Sequence, residues 1–105
     1  MAIIHDPASL EVGKNALESI AEGMAITVVR TARSFIVRHS MDFSTGVLNA
    51  RGELIAQGQC IPAHLGGMPA ALAACLNRYS QDIFPGDILA VNDPYEGGSH
   101  LPDIF

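Results

Sequence analysis

Several features that mark other protein classes are missing from this 105-residue chain. Its six basic residues are scattered and form no cluster with aromatic side chains, so a nucleic-acid partner is not expected. No apolar run approaches the roughly 20 residues that span a bilayer, and the first residues carry no signal-peptide features. These absences predict a cytoplasmic protein that has no membrane partner.

Sequence motifs for nucleotide binding and serine catalysis are also missing. No G-x-x-x-x-G-K-[ST] sequence occurs, so ATP binding is not encoded here in P-loop form. No G-x-S-x-G elbow occurs, and His39, Ser40 and Asp42 are only neighbours in sequence, whereas triads are assembled in space. A serine hydrolase is therefore rejected, and Asp42 and Ser44 are predicted to make local turn hydrogen bonds.

Cysteine is scarce, with Cys60 and Cys75 the only two. In a cytoplasmic protein both are expected to be reduced and structural, and a catalytic cysteine is the less favoured alternative. Cys75 lies beside an apolar stripe on a predicted helix, which favours core packing.

Apolar residues, in contrast, are abundant. They make up 49% of the sequence, and the mean hydropathy is +0.26, which is high for a small soluble monomer. We expect part of this apolar surface to be covered by further chain or by a partner. The apolar pair Ile104-Phe105 indicates the same, because natural termini are more often polar. The chain is thus predicted to be part of a larger domain.

A long helix is predicted from Pro7 to about Arg33. Asp6 followed by proline is typical of an N-cap and a first helical position. Gly13 and Gly23 each cost about 1 kcal/mol relative to alanine, and their alternative interpretation is a break or a close approach of another element. The apolar residues that recur at helical spacing are Leu17, Ile20, Ala21, Met24 and Val28.

The remaining elements complete an α+β fold. Apolar and turn residues predict a strand, a hairpin with a type I turn, a second helix, a four-residue turn and a buried strand that leads into the last loop. The strand is residues 35–37, and the hairpin pairs 46–48 with 53–57 around the turn 49–52. The second helix runs from Pro69 to Tyr79, the four-residue turn is 84–87 and the buried strand is 88–91.

The loop of residues 92–103 carries the strongest candidate site. It follows the predicted buried strand, and the pair Gly97-Gly98 lets the backbone fold tightly. Imidazole with carboxylate is a ligand set that suits zinc, manganese or iron better than calcium or magnesium. The alternative is a plain turn with a surface histidine. The predicted metal ligands are His100, Asp103 and Asp93, with Glu96 also available.

A second candidate precedes the second helix, in residues 61–69. Gly66 and Gly67 would expose backbone N–H groups beside the positive end of the helix dipole, which suits a carboxylate, an imide oxygen or a phosphate. The alternative is a plain connection in which His64 bonds to backbone.

Six short motifs follow one another along the chain: Asp6-Pro7 with Glu11, Thr31-Ala32-Arg33-Ser34, Asp42-Phe43-Ser44, Gly52–Gln57, Ile61–Gly66 and Asn92–Asp103. In this order they resemble the N-terminal part of the hydantoinase B/5-oxoprolinase family, which includes N-methylhydantoinase B and acetone carboxylase alpha subunits. The resemblance runs from Asp6 to the end of the chain, and its last motif is the most specific. Because members are several times longer, residues 1–105 are expected to be a truncated N-terminal portion of such a domain.

The resemblance implies an ATP-dependent hydrolase that opens a cyclic amide such as hydantoin or 5-oxoproline. A hydantoinase A-like subunit or domain would handle ATP, and the B-type part would complete hydrolysis at a divalent metal centre. The family's ligand motif falls on His100 and Asp103, with further ligands beyond residue 105. The other implied roles are Asp93 as ligand or histidine orienter, His64 as base or substrate contact, and Gly66, Gly67, Gly97 and Gly98 in substrate binding.

Two alternatives remain open. The chain could belong to a carboxylase of the acetone carboxylase type, in which a metal binds an enolate and carbon dioxide. It could also be a non-catalytic assembly module that docks on the A-type partner, which its high apolar content favours. On any of these interpretations the isolated fragment is expected to be inactive.

Overall fold

The structure is a computed structural model that describes residues 6–98 and 100–105. Its elements are helix α1 (Pro7–Thr31), helix α2 (Phe35–Ser40), strands β1 (Gly46–Leu48) and β2 (Leu54–Gln57), and helix α3 (Met68–Tyr79), with single 3-10 turns at Pro62–His64 and Pro94–Glu96. The two strands form one antiparallel sheet. Helices beside an antiparallel hairpin confirm the predicted α+β class. The N-terminal residues without signal-peptide features, 1–5, lie outside the described residues, as does Ser99 within the last motif.

Helix α1 begins where the sequence predicts. The Asp6 carboxylate accepts hydrogen bonds from the N–H groups of Ala8 and Ser9 at 3.2 and 3.3 Å, and from the Ser9 hydroxyl at 2.9 Å. These bonds, that of the Ser9 hydroxyl first, lower the pKa of Asp6 below its ordinary value of 3.8. The helix ends at Thr31, two residues before the prediction. It runs unbroken through Gly13 and Gly23, and nothing packs on either, so neither marks a break or a contact.

Helix α1 packs on the hairpin through small residues. Ala21 and Ala25 are fully buried, and Ala56 on β2 is buried opposite them. The Thr45 hydroxyl donates to the Ala21 carbonyl at 2.9 Å, and a Cβ on the buried Gly58 would collide with that hydroxyl. The close approach of helix and hairpin therefore depends on the absence of larger side chains at these positions.

Large apolar side chains contribute little to this core. Among the described residues, no large side chain is fully buried, and Ile20 and Met24 of the predicted apolar face are 54% and 39% exposed. Leu17 and Val28 are half-buried. The apolar faces are formed as predicted but are largely uncovered, which agrees with the expectation of a part of a larger domain.

The hairpin is confirmed, and β2 begins one residue later than predicted. The Asn49 carbonyl accepts the Gly52 N–H at 2.9 Å, as the predicted type I turn requires. The Asn49 amide, and then Arg51, donate to the Glu53 carboxylate and lower the pKa of Glu53. The paired residues are Gly46 with Gln57, Val47 with Ala56 and Leu48 with Leu54, with an irregularity between the last two pairs.

The strand predicted at residues 35–37 is wrong, because these residues form the first turn of α2. The Ser34 side chain caps that turn, and Met41 ends the helix in the left-handed conformation with a φ of 51°. The rings of Phe35 and His39, one helical turn apart, stack at 4.3 Å. Capping and this stacking outweigh the weak strand preference of the Ile-Val pair.

Helix α3 is confirmed and begins one residue before Pro69. Ala71 and Cys75 are its buried residues, as predicted for Cys75, and both cysteines are free thiols. The turn at residues 84–87 is also confirmed, since the Asp87 N–H donates to the Phe84 carbonyl at 3.1 Å.

The buried strand predicted at residues 88–91 is wrong. Ile88 is 92% exposed, and this stretch forms no regular strand. Only Val91 pairs in extended fashion, exchanging backbone hydrogen bonds of 3.0 and 2.9 Å with Phe105. An apolar run becomes a buried strand only when a sheet covers it, and this one has a single bonded pair. Within the described residues, no helix is long and apolar enough to cross a membrane.

Candidate functional site

A cavity of about 580 Å³ lies between α1, the hairpin, α3 and the last residues of the chain. Its size is typical of small-molecule sites, which combine apolar walls with a few polar groups. The polar side chains on its wall include Asp42, Ser44, His64 and Asp103. Apolar lining residues include Met24, Leu48, Met68, Leu72, Leu89 and Phe105.

Asp103 is the centre of the polar cluster. Its Oδ1 lies 3.3 Å from Nε2 of His64 and 3.5 Å from Nε2 of His100. The side chains of Asp103 and His64 are only 13% and 17% exposed, whereas that of His100 is 61% exposed. Oδ2 of Asp103 is buried without a hydrogen-bond partner among the described residues. A buried carboxylate oxygen left in this state favours the approach of a cation or a proton donor.

Contacts between distant segments position these groups. The Ser44 hydroxyl donates to the Ile61 carbonyl at 2.5 Å, and its oxygen lies 3.5 Å from Nδ1 of His64. The ring of His64 meets that of Phe105 edge-on, with centroids 6.3 Å apart. Since Phe105 is bonded to Val91, the last residues are held against His64 from one side and Ser44 approaches from another.

Asp93, predicted as a metal ligand, has a different position. Its carboxylate accepts the Tyr95 N–H at 2.9 Å, and its carbonyl accepts the N–H groups of Glu96 and Gly98, both at 3.0 Å. It borders a separate, smaller groove beside α3 and does not line the main cavity. Its carboxylate caps the 3-10 turn at Pro94–Glu96.

Gly97 and Gly98, predicted to bind substrate, lie at tight backbone contacts. Gly97 has a φ of 98°, and a Cβ there would lie 2.5 Å from the Ala71 nitrogen and 2.6 Å from the Ala70 carbonyl carbon. A Cβ on Gly98 would lie 2.9 Å from the Asp93 oxygen. Gly97 thus lets the last loop press directly on the first turn of α3, whereas Gly98 lets the loop fold tightly on itself. Substrate contact by either glycine stays a prediction.

Gly66 and Gly67 differ from each other. A Cβ on Gly67 would lie 3.1 Å from both the Gly97 oxygen and the Phe105 ring, whereas Gly66 has open space around it. The Gly67 N–H donates to the His64 carbonyl at 3.1 Å. That N–H is therefore engaged within the protein, and the suggestion that this pair binds an anion stays a prediction.

The cavity also includes two residues for which the sequence predicts only local roles. Asp42 and Ser44 were predicted to satisfy turn hydrogen bonds, but Ser44 reaches 17 residues along the chain to Ile61. Asp42 lines the same cavity as Asp103. Local hydrogen bonding as the role of Ser44 is thus wrong. The Asp42-Phe43-Ser44 motif was the available signal, because it was among the segments that carried the family resemblance.

The side chains around Asp103 are of the types that bind transition metals. Two imidazoles, a carboxylate with an unused buried oxygen, and Asp42 on the same wall are the ligand types that zinc, manganese or iron prefer. Among the described residues, however, no three histidine, cysteine or acidic side chains are arranged to hold a metal ion together. The two histidines approach one oxygen atom instead. Metal binding stays a prediction.

Comparison with known proteins places these residues in a family. The family described as Hydantoinase B/oxoprolinase matches residues 6–105. The chain is 41% identical over 102 residues to an uncharacterized protein of Methanocaldococcus jannaschii, and 35% identical over 101 residues to 5-oxoprolinase 1 of Arabidopsis thaliana. It is 36% identical over 98 residues to caprolactamase subunit beta of Pseudomonas jessenii.

Each of these matches covers nearly all of this chain but little of the relative. The covered share of the chain is 94%, 96% and 93%, and the covered share of the relatives is 18%, 8% and 17%, in the same order. No solved structure matches.

Proposed function

The chain belongs to the hydantoinase B/oxoprolinase family, and from this premise we propose that it is the N-terminal part of an enzyme that hydrolyses cyclic amides. The observation that carries the proposal is the cavity in which His64 and Asp103 meet at 3.3 Å beside a largely apolar wall. Relatives named 5-oxoprolinase and caprolactamase support a cyclic amide as the substrate class.

The chemistry assigned to His64 is proton transfer. Ring opening needs water to lose a proton as it adds to the amide carbonyl, and needs the leaving nitrogen to gain one. Nε2 of His64 would take the proton from water, and the nearby Asp103 carboxylate would stabilise the imidazolium. The same proton then passes to the ring nitrogen as its bond to the carbonyl carbon breaks. An apolar wall would hold the methylene groups of a lactam and exclude other water.

A divalent metal, zinc, manganese or iron, is part of the proposal. His100 and Asp103 would hold it, with Asp42 on the same wall and further ligands from residues beyond 105. When bound, such an ion supplies a Lewis acid that polarises a carbonyl oxygen and acidifies water. The orphaned buried oxygen of Asp103 supports the proposal. Asp93 serves it indirectly, by capping the 3-10 turn in the loop that carries His100.

ATP is assigned to a hydantoinase A-like subunit or domain, because this chain contains no P-loop sequence. A relative named as a beta subunit supports an assembly of more than one kind of chain. The cytoplasmic location expected from the sequence belongs to the same proposal.

The test replaces one histidine at a time in the complete protein, with its partner present. We expect His64→Ala and His100→Ala to abolish ATP-dependent hydrolysis of 5-oxoproline, hydantoin or caprolactam, whichever the wild type opens. The matched control is His39→Ala, because His39 is exposed on α2, where its ring stacks on that of Phe35 and its Nδ1 lies 3.3 Å from the Phe35 carbonyl oxygen. Unchanged turnover by the His64→Ala variant would rule out His64 as the base. Elemental analysis of wild type and of His100→Ala reports separately on the metal.

An assembly module is the alternative that a structural observation favours. Among the described residues, no large side chain is fully buried, so this part of the chain offers apolar faces to other parts of an assembly. Hydrolysis by the purified chain with its A-type partner would exclude a purely structural role. The carboxylase alternative is tested by incorporation of labelled bicarbonate into product.

A further inference from the structure

Two consecutive residues of α1 bind the open end of the hairpin, where the chain enters β1 and leaves β2. The Ala21 carbonyl accepts the Thr45 hydroxyl at 2.9 Å, and Oε2 of Glu22 accepts the Gln59 N–H at 2.9 Å. Thr45 lies just before β1, and Gln59 lies two residues after β2. Helix α1 therefore holds both sides of this open end through hydrogen bonds.

The Gln59 N–H has no partner within the sheet. The last strand pair at this end is Gly46 with Gln57, and the N–H of Gly58 still reaches the hairpin, at the Thr45 carbonyl 3.0 Å away. The N–H of residue 59 is accepted instead by a side chain 37 positions earlier in the chain. Because an ionised carboxylate binds an N–H more strongly than a neutral acceptor does, this bond anchors a loop that has no regular structure.

The anchored loop leads to the candidate site. Residues 58–61 connect β2 to the 3-10 turn that ends at His64. The Ser44 hydroxyl donates to the Ile61 carbonyl at 2.5 Å and so holds the end of the loop next to that turn. The bond from Glu22 holds the beginning of the loop. The position of His64 thus depends on contacts at both ends of this loop.

Glu22 acts at a distance from the cavity, because it does not line the wall to which α1 contributes Met24. We propose that Glu22 is a positioning residue that, through the Gln59 N–H, holds the loop that carries His64 and so keeps His64 beside Asp103. Its effect on catalysis rests on the proposed function of His64, but the anchoring of the loop does not.

Hydrogen exchange in the complete protein measures the anchoring without any use of activity. In Glu22→Ala we expect exchange to increase about 10-fold at the Gln59 N–H, which loses its acceptor. A similar increase is expected at the N–H groups of Leu65 and Gly67, whose bonds of 3.2 and 3.1 Å close the turns around His64. Unchanged exchange at Leu65 and Gly67 would overturn the proposal. An equal increase throughout α1 and the hairpin would mean general loosening and would overturn it as well.

Three further variants separate the reach of the side chain from its charge and from helix composition. Glu22→Gln keeps an oxygen within reach and should keep most of the wild-type protection. Glu22→Asp keeps the charge but is one methylene shorter, and should resemble Glu22→Ala. Glu18→Ala is the matched control, because it makes the same substitution one helical turn earlier, where the carboxylate pairs with Lys14 at 3.8 Å. If Glu22→Asp keeps the protection and Glu22→Gln loses it, the charge acts rather than the anchoring bond, and the proposal fails.

Kinetics of the same variants, with the partner present, test the effect on the reaction. Glu22→Ala should lower kcat about 10-fold with KM nearly unchanged, because a displaced His64 slows the reaction while the apolar wall stays in place. Glu22→Gln should restore most of kcat, and Glu18→Ala should keep it. Wild-type kcat in Glu22→Ala, together with an inactive His64→Ala, would overturn the positioning role.

The exchange data keep this proposal separate from the proposed function. The expected exchange pattern with full activity of His64→Ala would support the anchoring by Glu22 and overturn the base role of His64. An inactive His64→Ala with unchanged exchange in Glu22→Ala would do the reverse.

Discussion

The unit formed by α1 and the hairpin differs from the segment of residues 81–105 in how its backbone is held. In the first, a capped helix and paired strands satisfy most of their own hydrogen bonds and meet through small buried residues. The second has a single 3-10 turn as its only regular element among the described residues. It is fixed by separate contacts, including the Val91–Phe105 pair and the approach of Gly97 to α3.

Two of the proposed site residues, His100 and Asp103, belong to the second region. A side chain on such a segment is held in place by the contacts that anchor the segment, because the local backbone has little regular hydrogen bonding of its own. The candidate site thus lies where a regular scaffold meets a segment that depends on it. Substitutions at glycines test this difference, since they act on backbone approach rather than on chemistry.

The largest effect is expected from Gly97→Ala. Its Cβ would meet the α3 backbone at 2.5 Å, and the residue has a φ of 98°, so overpacking and backbone strain add to about 3 kcal/mol. The measurement is hydrogen exchange in the complete protein, read at the N–H groups of Gly98, Asp103 and Phe105. We expect these to lose protection while the hairpin keeps its own.

Gly86→Ala is the matched control for that substitution. Gly86 also has a φ of 98°, but nothing lies within 4 Å of its added Cβ. It should cost about 1 kcal/mol, from strain alone. Equal losses of protection in the two variants would show that the contact with α3 does not anchor the segment.

Gly58→Ala tests the first region in the same way. Its Cβ would collide with the Thr45 hydroxyl and lie 3.1 Å from the Ala21 oxygen, so we expect a loss of about 2 kcal/mol. In this variant, hydrogen exchange should increase at the N–H of residue 58, which in the wild type donates to the Thr45 carbonyl at 3.0 Å. Gly13→Ala, on the open face of α1, should instead stabilise the helix by about 1 kcal/mol. If the N–H of residue 58 keeps its wild-type protection in the Gly58→Ala variant, the small-residue packing of α1 on the hairpin is contradicted.

The smallest effect is expected from acid. Hydrogen bonds from Ser9 and Ala8 lower the pKa of Asp6 in the folded state, so the N-cap contributes stability above the ordinary value of 3.8. That contribution is lost as the pH falls through the lower, folded-state pKa. Asp6→Asn keeps a capping side chain without the charge, and should make exchange in the first turn of α1 independent of pH in this range once intrinsic exchange is subtracted. If Asp6→Asn keeps the wild-type pH dependence of exchange, titration of Asp6 is not its cause.

Prediction from sequence succeeded where the signal was local. Asp6 before a proline fixed the start of α1, and Asn49 with Gly52 fixed the hairpin turn, because each makes its bonds within a few residues. It failed at residues 35–37 and 88–91, where short apolar runs have no intrinsic preference strong enough to decide. A capping serine made the first a helix, and the lack of a covering sheet left the second exposed.

The candidate site divides in the same manner. The approach of His100 to Asp103 was anticipated, since three residues separate them in a loop with a glycine pair. The approach of His64 to Asp103, and of Ser44 to His64, joins segments that are far apart in sequence, and no local pattern encodes it. Asp93 shows that proximity in sequence is not sufficient either. It is only seven residues from His100, yet its carboxylate caps a turn and does not line the main cavity.

The sequence by itself determined the family, the helices α1 and α3, the hairpin and the residues from which a site can be built. These depend on motif order, periodicity and capping, all of which act over short distances along the chain. Only the tertiary structure decided that Ser44, His64 and Asp103 meet in one cavity. Their meeting depends on glycines that allow close backbone approach and on backbone bonds such as that of Val91 with Phe105, which form only when distant segments are already packed.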